Sequence, residues 1–254
     1  MLRTRVIPCL LLKNESLVKT VKFKEYNYIG DPINTVRIFN ELEVDELMFL
    51  DIFASKENRT INVKILQDIA NECFMPLSYG GNIKSLDDAK KIFEIGFEKV
   101  VINSNTFENL QLIEEISRYF GVQSVVGSID IKQSFWGKNT IYSHHGRKKQ
   151  SSDIIGWAKQ LENAGVGELL ITSIDREGSW EGYDLELLKS VTDSVQVPVI
   201  ANGGCGKVEH IAEAVNMAHV SACAVGSMVV YQKKGMGVLV NFPDRKKLNQ
   251  VLGY

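Results

Sequence analysis

Eight short runs rich in Val, Ile and Leu, separated by longer amphipathic stretches, restrict this chain more than any other feature. The runs lie at residues 5–11, 46–51, 76–79, 99–103, 125–130, 169–173, 198–202 and 222–225. Between them, apolar residues recur at helical spacing over 32–42, 61–72, 85–95, 110–120, 152–164, 184–195 and about 210–217. A continuously apolar strand must be covered on both faces, as in a parallel sheet wrapped by helices. Eight such units predict a single (β/α)8 TIM barrel domain spanning residues 1–254. An open doubly wound sheet is the competing arrangement, but no GxGxxG follows the first run to favour it. Asp31 before Pro32, and Ser85 before Asp87 and Asp88, mark helix starts: a capping oxygen, then proline or acids in the first turn.

The chain also repeats itself at half its length. Asp45-Glu-Leu-Met-Phe49 returns as Gly167-Glu-Leu-Leu-Ile171, an offset of 122 residues, and Pro76 returns as Pro198 at the same offset. Each proline is followed four or five residues later by a Gly-Gly pair. Two fused half-barrels explain this spacing. The one long insertion, residues 131–150, carries Trp136, Tyr142, His144 and His145. It predicts a hairpin on the strand-exit face, where active sites of such barrels lie.

Composition narrows the partners. Lys and Arg number 29 against 31 Asp and Glu, for a formal net charge of -2, so nothing points to nucleic acid or an acidic membrane. Cys9, Cys73, Cys205 and Cys223 form no CxxC pair and read as reduced structural thiols of a cytoplasmic protein. The apolar run at residues 6–12 is too short to span a bilayer and lacks a signal peptide's cleavage region.

Several residues are placed to do chemistry. Asp130 ends the fifth run and should face the barrel mouth, where partial burial raises a carboxyl pKa toward the range of a general acid or base. Asp51 ends the second run in the same way, with an orienting or structural role equally open to it. Two glycine turns suit phosphate, because glycine admits close approach of the backbone and the next helix offers free N–H groups. One comprises Gly81 and Asn82, helped by Asn103 and Ser104; the other comprises Gly203 and Gly204, followed by Gly226 and Ser227. Two such turns in opposite halves imply a small-molecule substrate with two phosphate ends. Lys19, beside Lys13, Lys22 and Lys24, lies in a loop that reads either as a solvated basic segment or as a lid over phosphate. The adjacent histidines lack a third ligand, so no metal is expected, and nothing calls for a cofactor. Arg5, Glu46, Lys99 and Glu168 each begin a strand and should meet at the barrel bottom, as a stabilising network or a gate on the barrel axis.

Specific motifs carry a family resemblance over almost the whole chain, from Arg3 to about Tyr231. They are Val6-Ile-Pro-Cys-Leu10, Asp45-Glu-Leu-Met-Phe-Leu-Asp51, Val101-Ile-Asn-Ser104, Ile129-Asp130, Thr172-Ser-Ile-Asp-Arg-Glu-Gly178, Gly182-Tyr-Asp184 and Pro198-Val-Ile-Ala-Asn-Gly-Gly204. Together they resemble the cyclase subunit of imidazole glycerol phosphate synthase. The resemblance implies a glutaminase docked at the barrel bottom and a gate at Arg5, Glu46, Lys99 and Glu168 that admits its ammonia. At the top it implies a bisphosphorylated ribulosyl substrate, held by the two turns with Ser173 and Gly178. Asp130 would be one of two catalytic aspartates and Lys19 the lid lysine.

The departures from that family cluster at the top. Leu11 stands where the family has its second catalytic aspartate, Asn82 replaces a glycine, Asn202 a serine and Glu177 an aspartate; after Tyr231 the final helix diverges. Losing a transition-state acid typically costs about 10²–10⁴ in rate. An intact floor under an altered top is similar to the cyclase-like paralogues of bacterial surface-polysaccharide gene clusters. Those supply ammonia to an ATP-dependent sugar amidotransferase that makes acetamidino sugars of lipopolysaccharide. Two alternatives are carried beside that reading: an authentic histidine-pathway cyclase forming imidazole glycerol phosphate and AICAR, with Asp130 alone or aided by Asp51, and a non-catalytic scaffold that activates a glutaminase.

Overall fold

The computed structural model describes residues 3–134 and 136–253, so residue 135 of the insertion and the chain ends lie outside the described residues. In chain order the strands are β1 (Arg5–Lys13), β2 (Ser16–Val21), β3 (Lys24–Gly30), β4 (Leu47–Asp51), β5 (Leu77–Gly80), β6 (Lys99–Ile102), β7 (Val125–Gln133), β8 (Asn139–Ser143), β9 (Lys148–Lys149), β10 (Glu168–Ser173), β11 (Val199–Asn202) and β12 (Ala222–Val225). Eight of them, β1, β4, β5, β6, β7, β10, β11 and β12, pair in parallel in that cyclic order, and β12 closes on β1. The closed eight-stranded parallel barrel is therefore present, with helices around it as the apolar periodicity predicted.

Two apolar clusters divide the interior. The larger fills the space between barrel and helices, with Leu10, Leu12, Phe39, Leu66, Ile92 and Ile116 among its members. The smaller lies inside the barrel and contains Ile7, Cys9, Leu11, Met48, Val101, Val126, Leu170, Ile200, Ala222 and Ala224. Strand pleating explains the split: along β1, Ile7, Cys9 and Leu11 point inward while Leu10 and Leu12 point outward.

The half-barrel repeat survives in the placement of the strands along the chain. β5 and β11 begin and end 122 residues apart, and the first strand of each half, β1 and β7, runs on into an antiparallel hairpin partner. The β7–β8 hairpin is the one expected from the insertion. Its counterpart after β1 differs from expectation: residues 16–30 form the β2–β3 hairpin rather than a loop. β3 is solvated along most of its length, so it carries no apolar alternation to betray a strand.

Helix starts follow the capping chemistry. The Asp31 side chain accepts from the Asn34 N–H at 2.9 Å, and Ser85 Oγ accepts from the Asp88 N–H at 3.1 Å. After the short helix Ser227–Val230, the chain ends in a helix at Arg245–Leu252, which lies against Val208–Ala218 and buries Leu248. No helix among the described residues is long and apolar enough to cross a membrane. Ser85→Ala should cost about 1 kcal/mol of stability, measured by urea unfolding, because it orphans an N–H at an exposed helix start.

Candidate active site

The mouth of the barrel opens into a cleft of about 900 Å3 at the C-terminal ends of the strands. Strand register builds its reactive wall. Thr172 on β10 lies opposite Asp130 on one side and Asn202 on the other. The Asn202 side-chain N–H donates to Thr172 Oγ1 at 3.1 Å. Burial pushes the Asp130 carboxyl up to about 7, and hydrogen bonds from Thr172 and Asn103 hold it from rising further. A carboxyl with that pKa gives and takes protons near neutrality. Asn103 Oδ1 is buried and has no hydrogen-bond partner among the described residues.

Leu11 enters the same cleft from the opposite half of the repeat. It is 7% exposed and belongs to the inner cluster, opposite Val18 and Leu50 on the neighbouring strands. The wall it contributes is apolar. Beside it, burial pushes the Cys9 thiol up to about 11, too high for a thiolate nucleophile at neutral pH.

Lys19 is not a solvated loop residue. It lies on β2, 6% exposed, with its side chain lining the cleft. Its ammonium rests against Gly226, where any side chain would collide with it. Glu177 fixes the hairpin that carries Lys19. Its carboxylate accepts from Thr20 Oγ1 at 2.9 Å and the Phe23 N–H at 3.2 Å, and its carbonyl accepts from the Lys22 N–H at 3.0 Å. Burial raises the Glu177 pKa, while Lys19 and these hydrogen bonds oppose the rise. Gly178 is close against the Thr20 carbonyl, which leaves no room for a Cβ.

Asp51 lines the cleft but is heavily committed. It accepts from the Phe53 and Ala54 N–H groups at 3.1 and 2.9 Å and from Arg59 at 3.1 Å. These partners tie down the loop after β4. Burial still leaves its pKa above the ordinary value, against the pull of Arg59. Gly81 and Asn82 line the same side; Asn82 adopts φ 51° and donates to the Arg59 carbonyl at 2.7 Å. Ser104 Oγ accepts from the His144 N–H at 2.9 Å, so it anchors the β7–β8 hairpin.

The second glycine turn sits deeper. Gly203 and Gly204 have φ of 92° and 108°, and a Cβ on Gly203 would lie 2.6 Å from the Ser173 carbonyl. Gly226 and Ser227, at the start of the short helix after β12, complete that corner. Seven of the residues expected to hold substrate or do chemistry, Lys19, Asp51, Gly81, Asn82, Asn103, Ser104 and Asp130, converge on one cleft. Ser173, Gly178, Gly203, Gly204, Gly226 and Ser227 form its rear corner behind Lys19, outside the open cleft.

At the opposite end, four charges close the floor. Arg5 pairs with Glu46 at 2.6 Å and also with Glu168; Lys99 reaches Glu46 at 3.1 Å and Glu168 at 3.0 Å. Each carboxylate thus touches both cations, in a neutral ring. Burial alone would lower the Arg5 pKa, but Glu168 and Glu46 outweigh it and hold the guanidinium above its ordinary value.

A family profile described as histidine biosynthesis protein matches residues 5–235. The chain belongs to that family. It is 50% identical over 249 residues to a Pseudomonas aeruginosa protein provisionally named imidazole glycerol phosphate synthase subunit hisF2, covering 98% of this chain and 99% of that one. A protein of Exiguobacterium sibiricum named imidazole glycerol phosphate synthase subunit HisF is 44% identical, with 84% and 85% of the two chains aligned. Another of that name from Methanococcus vannielii is 39% identical, with 92% and 93% aligned. This histidine biosynthesis family member is accordingly a HisF-type barrel, the cyclase-subunit kind of the synthase.

Three features of the HisF-type site were not legible from motifs alone. Thr172 acts on Asp130 through register across neighbouring strands and is itself held by Asn202, Glu177 acts through a contact with a hairpin read as a loop, and Arg59 occupies Asp51. Among the described residues, no three His, Cys, Asp or Glu side chains are arranged to hold a metal ion. Because Thr172 lowers the Asp130 pKa, Thr172→Val should raise it above 7, read by carbon-13 NMR of the carboxyl. The shift also has a stability sign. A carboxyl raised from 3.8 to about 7 penalises the folded state increasingly as pH climbs through that window. Asp130→Asn should therefore raise Tm more at pH 8 than at pH 4.

Proposed function

We propose that this chain receives ammonia at its floor from a glutaminase subunit and uses it at the mouth on a phosphorylated acceptor. The observation that carries this is the neutral ion ring of Arg5, Glu46, Lys99 and Glu168, set directly beneath an apolar barrel interior that leads to Asp130. Uncharged ammonia is compatible with an interior lined by Ala222, Ala224, Val101 and Leu170; ammonium, which needs hydration or a counter-charge, is not. Passage requires one cation of the ring to swing aside, and Lys99, a flexible point charge, moves more cheaply than the forked Arg5.

At the mouth, the histidine-pathway cyclase reaction is supported by the relatives' names, by Asp130 with a pKa near 7, and by glycine turns from both halves. In this reading Asp130 relays protons, Lys19 covers the acceptor, and the turns hold its two phosphates. Leu11 favours a second reading. With an apolar side chain where that reaction wants a second proton carrier, the ammonia goes instead to an ATP-dependent sugar amidotransferase for acetamidino-sugar synthesis.

One assay separates the two: ammonia-driven turnover of the ribulosyl bisphosphate-type substrate by the purified chain and by Leu11→Asp. Turnover by the unaltered chain supports the cyclase reading. Its absence, with partial recovery in Leu11→Asp, supports the second. The floor is tested independently by Lys99→Met in the glutaminase complex. Glutamine-dependent activity should change at least several-fold while activity with free ammonia is kept; equal loss of both would refute the gate.

A further inference from the structure

A second opening lies beside the mouth, between the β2–β3 and β7–β8 hairpins, as a cleft of about 730 Å3. Lys22 and Lys24 border it from the β2–β3 hairpin, Lys132 from β7 and Arg147 from the turn between β8 and β9. Its inner wall is the ring pair Phe23 and His145, stacked with centroids 4.8 Å apart and planes 5° from parallel. The Tyr26 hydroxyl lies 3.0 Å from His145 Nε2 and helps to fix that wall.

Among the described residues none of these four cations enters an ion pair. Of the acids near the cleft, Asp175 accepts from the Gln133 N–H at 2.7 Å and Glu177 from Thr20 and the Phe23 N–H, and neither is in an ion pair with the four cations. This concentration of positive charge stands out on a chain whose net charge is -2. The backbone adds a second cost here. Lys22, Phe23, His144 and His145 all hold positive φ between 52° and 58°, a region that L-residues avoid. Like charges gathered around a strained, ring-walled cleft are what an anion would stabilise.

We propose that this cleft binds a phosphorylated small molecule carrying at least two negative charges, at a site separate from the glycine turns. The turn glycines do not border it. A phosphate or diphosphate group fits a rim of four cationic donors, one of them a guanidinium fork, better than a single carboxylate does. The Phe23–His145 wall gives the remainder of such a ligand an apolar face. Phe23 and His145 also line the main mouth, so the two sites share a partition two rings thick. A ligand in the second cleft therefore bears on the hairpin that carries Lys19.

The test is isothermal titration of the full chain with inorganic pyrophosphate, repeated on Lys132→Ala/Arg147→Ala and on Lys22→Ala/Lys24→Ala. All four side chains are exposed, so both variants should melt like the parent. Expected is saturable binding to the parent, weakened roughly ten-fold or more in each double variant, since each removes charge-assisted hydrogen bonds. The proposal is overturned by no binding at millimolar pyrophosphate. It is equally overturned by undiminished binding in both variants, which would place the anion on the glycine turns. Tighter capture of a polyglutamate peptide than of pyrophosphate would replace the small molecule with an acidic protein segment.

Discussion

Inward–outward alternation along β1 holds the two ends of this molecule in register. Arg5 closes the floor, Ile7 and Cys9 fill the interior, and Leu11 meets the mouth, all on one side of one strand. A slip of one residue would exchange this set for Leu10 and Leu12 and send the guanidinium into the helical layer. The ion ring reinforces the register, because Arg5 must meet Glu46 on β4 and Glu168 on β10 at once. Buried ion pairs seldom add much net stability; their value here is that only one alignment satisfies all four charges.

The same alternation places the chemistry. Asp130, Thr172 and Asn202 come from three adjacent strands, and their mutual hydrogen bonding depends on all three ending at the same height. That shared height isolates Asp130 from water enough to lift its pKa, while Thr172 and Asn103 keep it from becoming a permanently neutral acid.

Much of this could be read from sequence because it is periodic or local. Apolar runs and helical spacing specify the barrel, the 122-residue offset specifies its halves, and Ser85 and Asp31 announce their helices. Asp130, Lys99 and the glycine turns stand at strand ends and were placed by counting. What escaped depends on contacts between distant segments. β3 is exposed along most of its length, so residues 24–30 carry no buried apolar alternation, and with that went the burial of Lys19. The partners of Asp51 and Glu177, Arg59 on a loop and Thr20 on a hairpin strand, come from segments whose approach no periodicity describes. The corner formed by Gly226 was anticipated as a turn, but not that the Lys19 ammonium would rest on it.

The latch between Glu177 and the β2–β3 hairpin has a consequence in time as well as in space. Thr20 and Glu177 are 157 positions apart, one in each half of the repeat. Contacts of such separation carry a heavy loop-closure cost and pay it back only once the intervening structure exists. A half-barrel can pair its own strands, but it cannot settle the hairpin that Glu177 latches. The hairpin reaches its final shape only when the second half has folded against the first, so a β2–β3 hairpin latched by Glu177 reports a completed barrel.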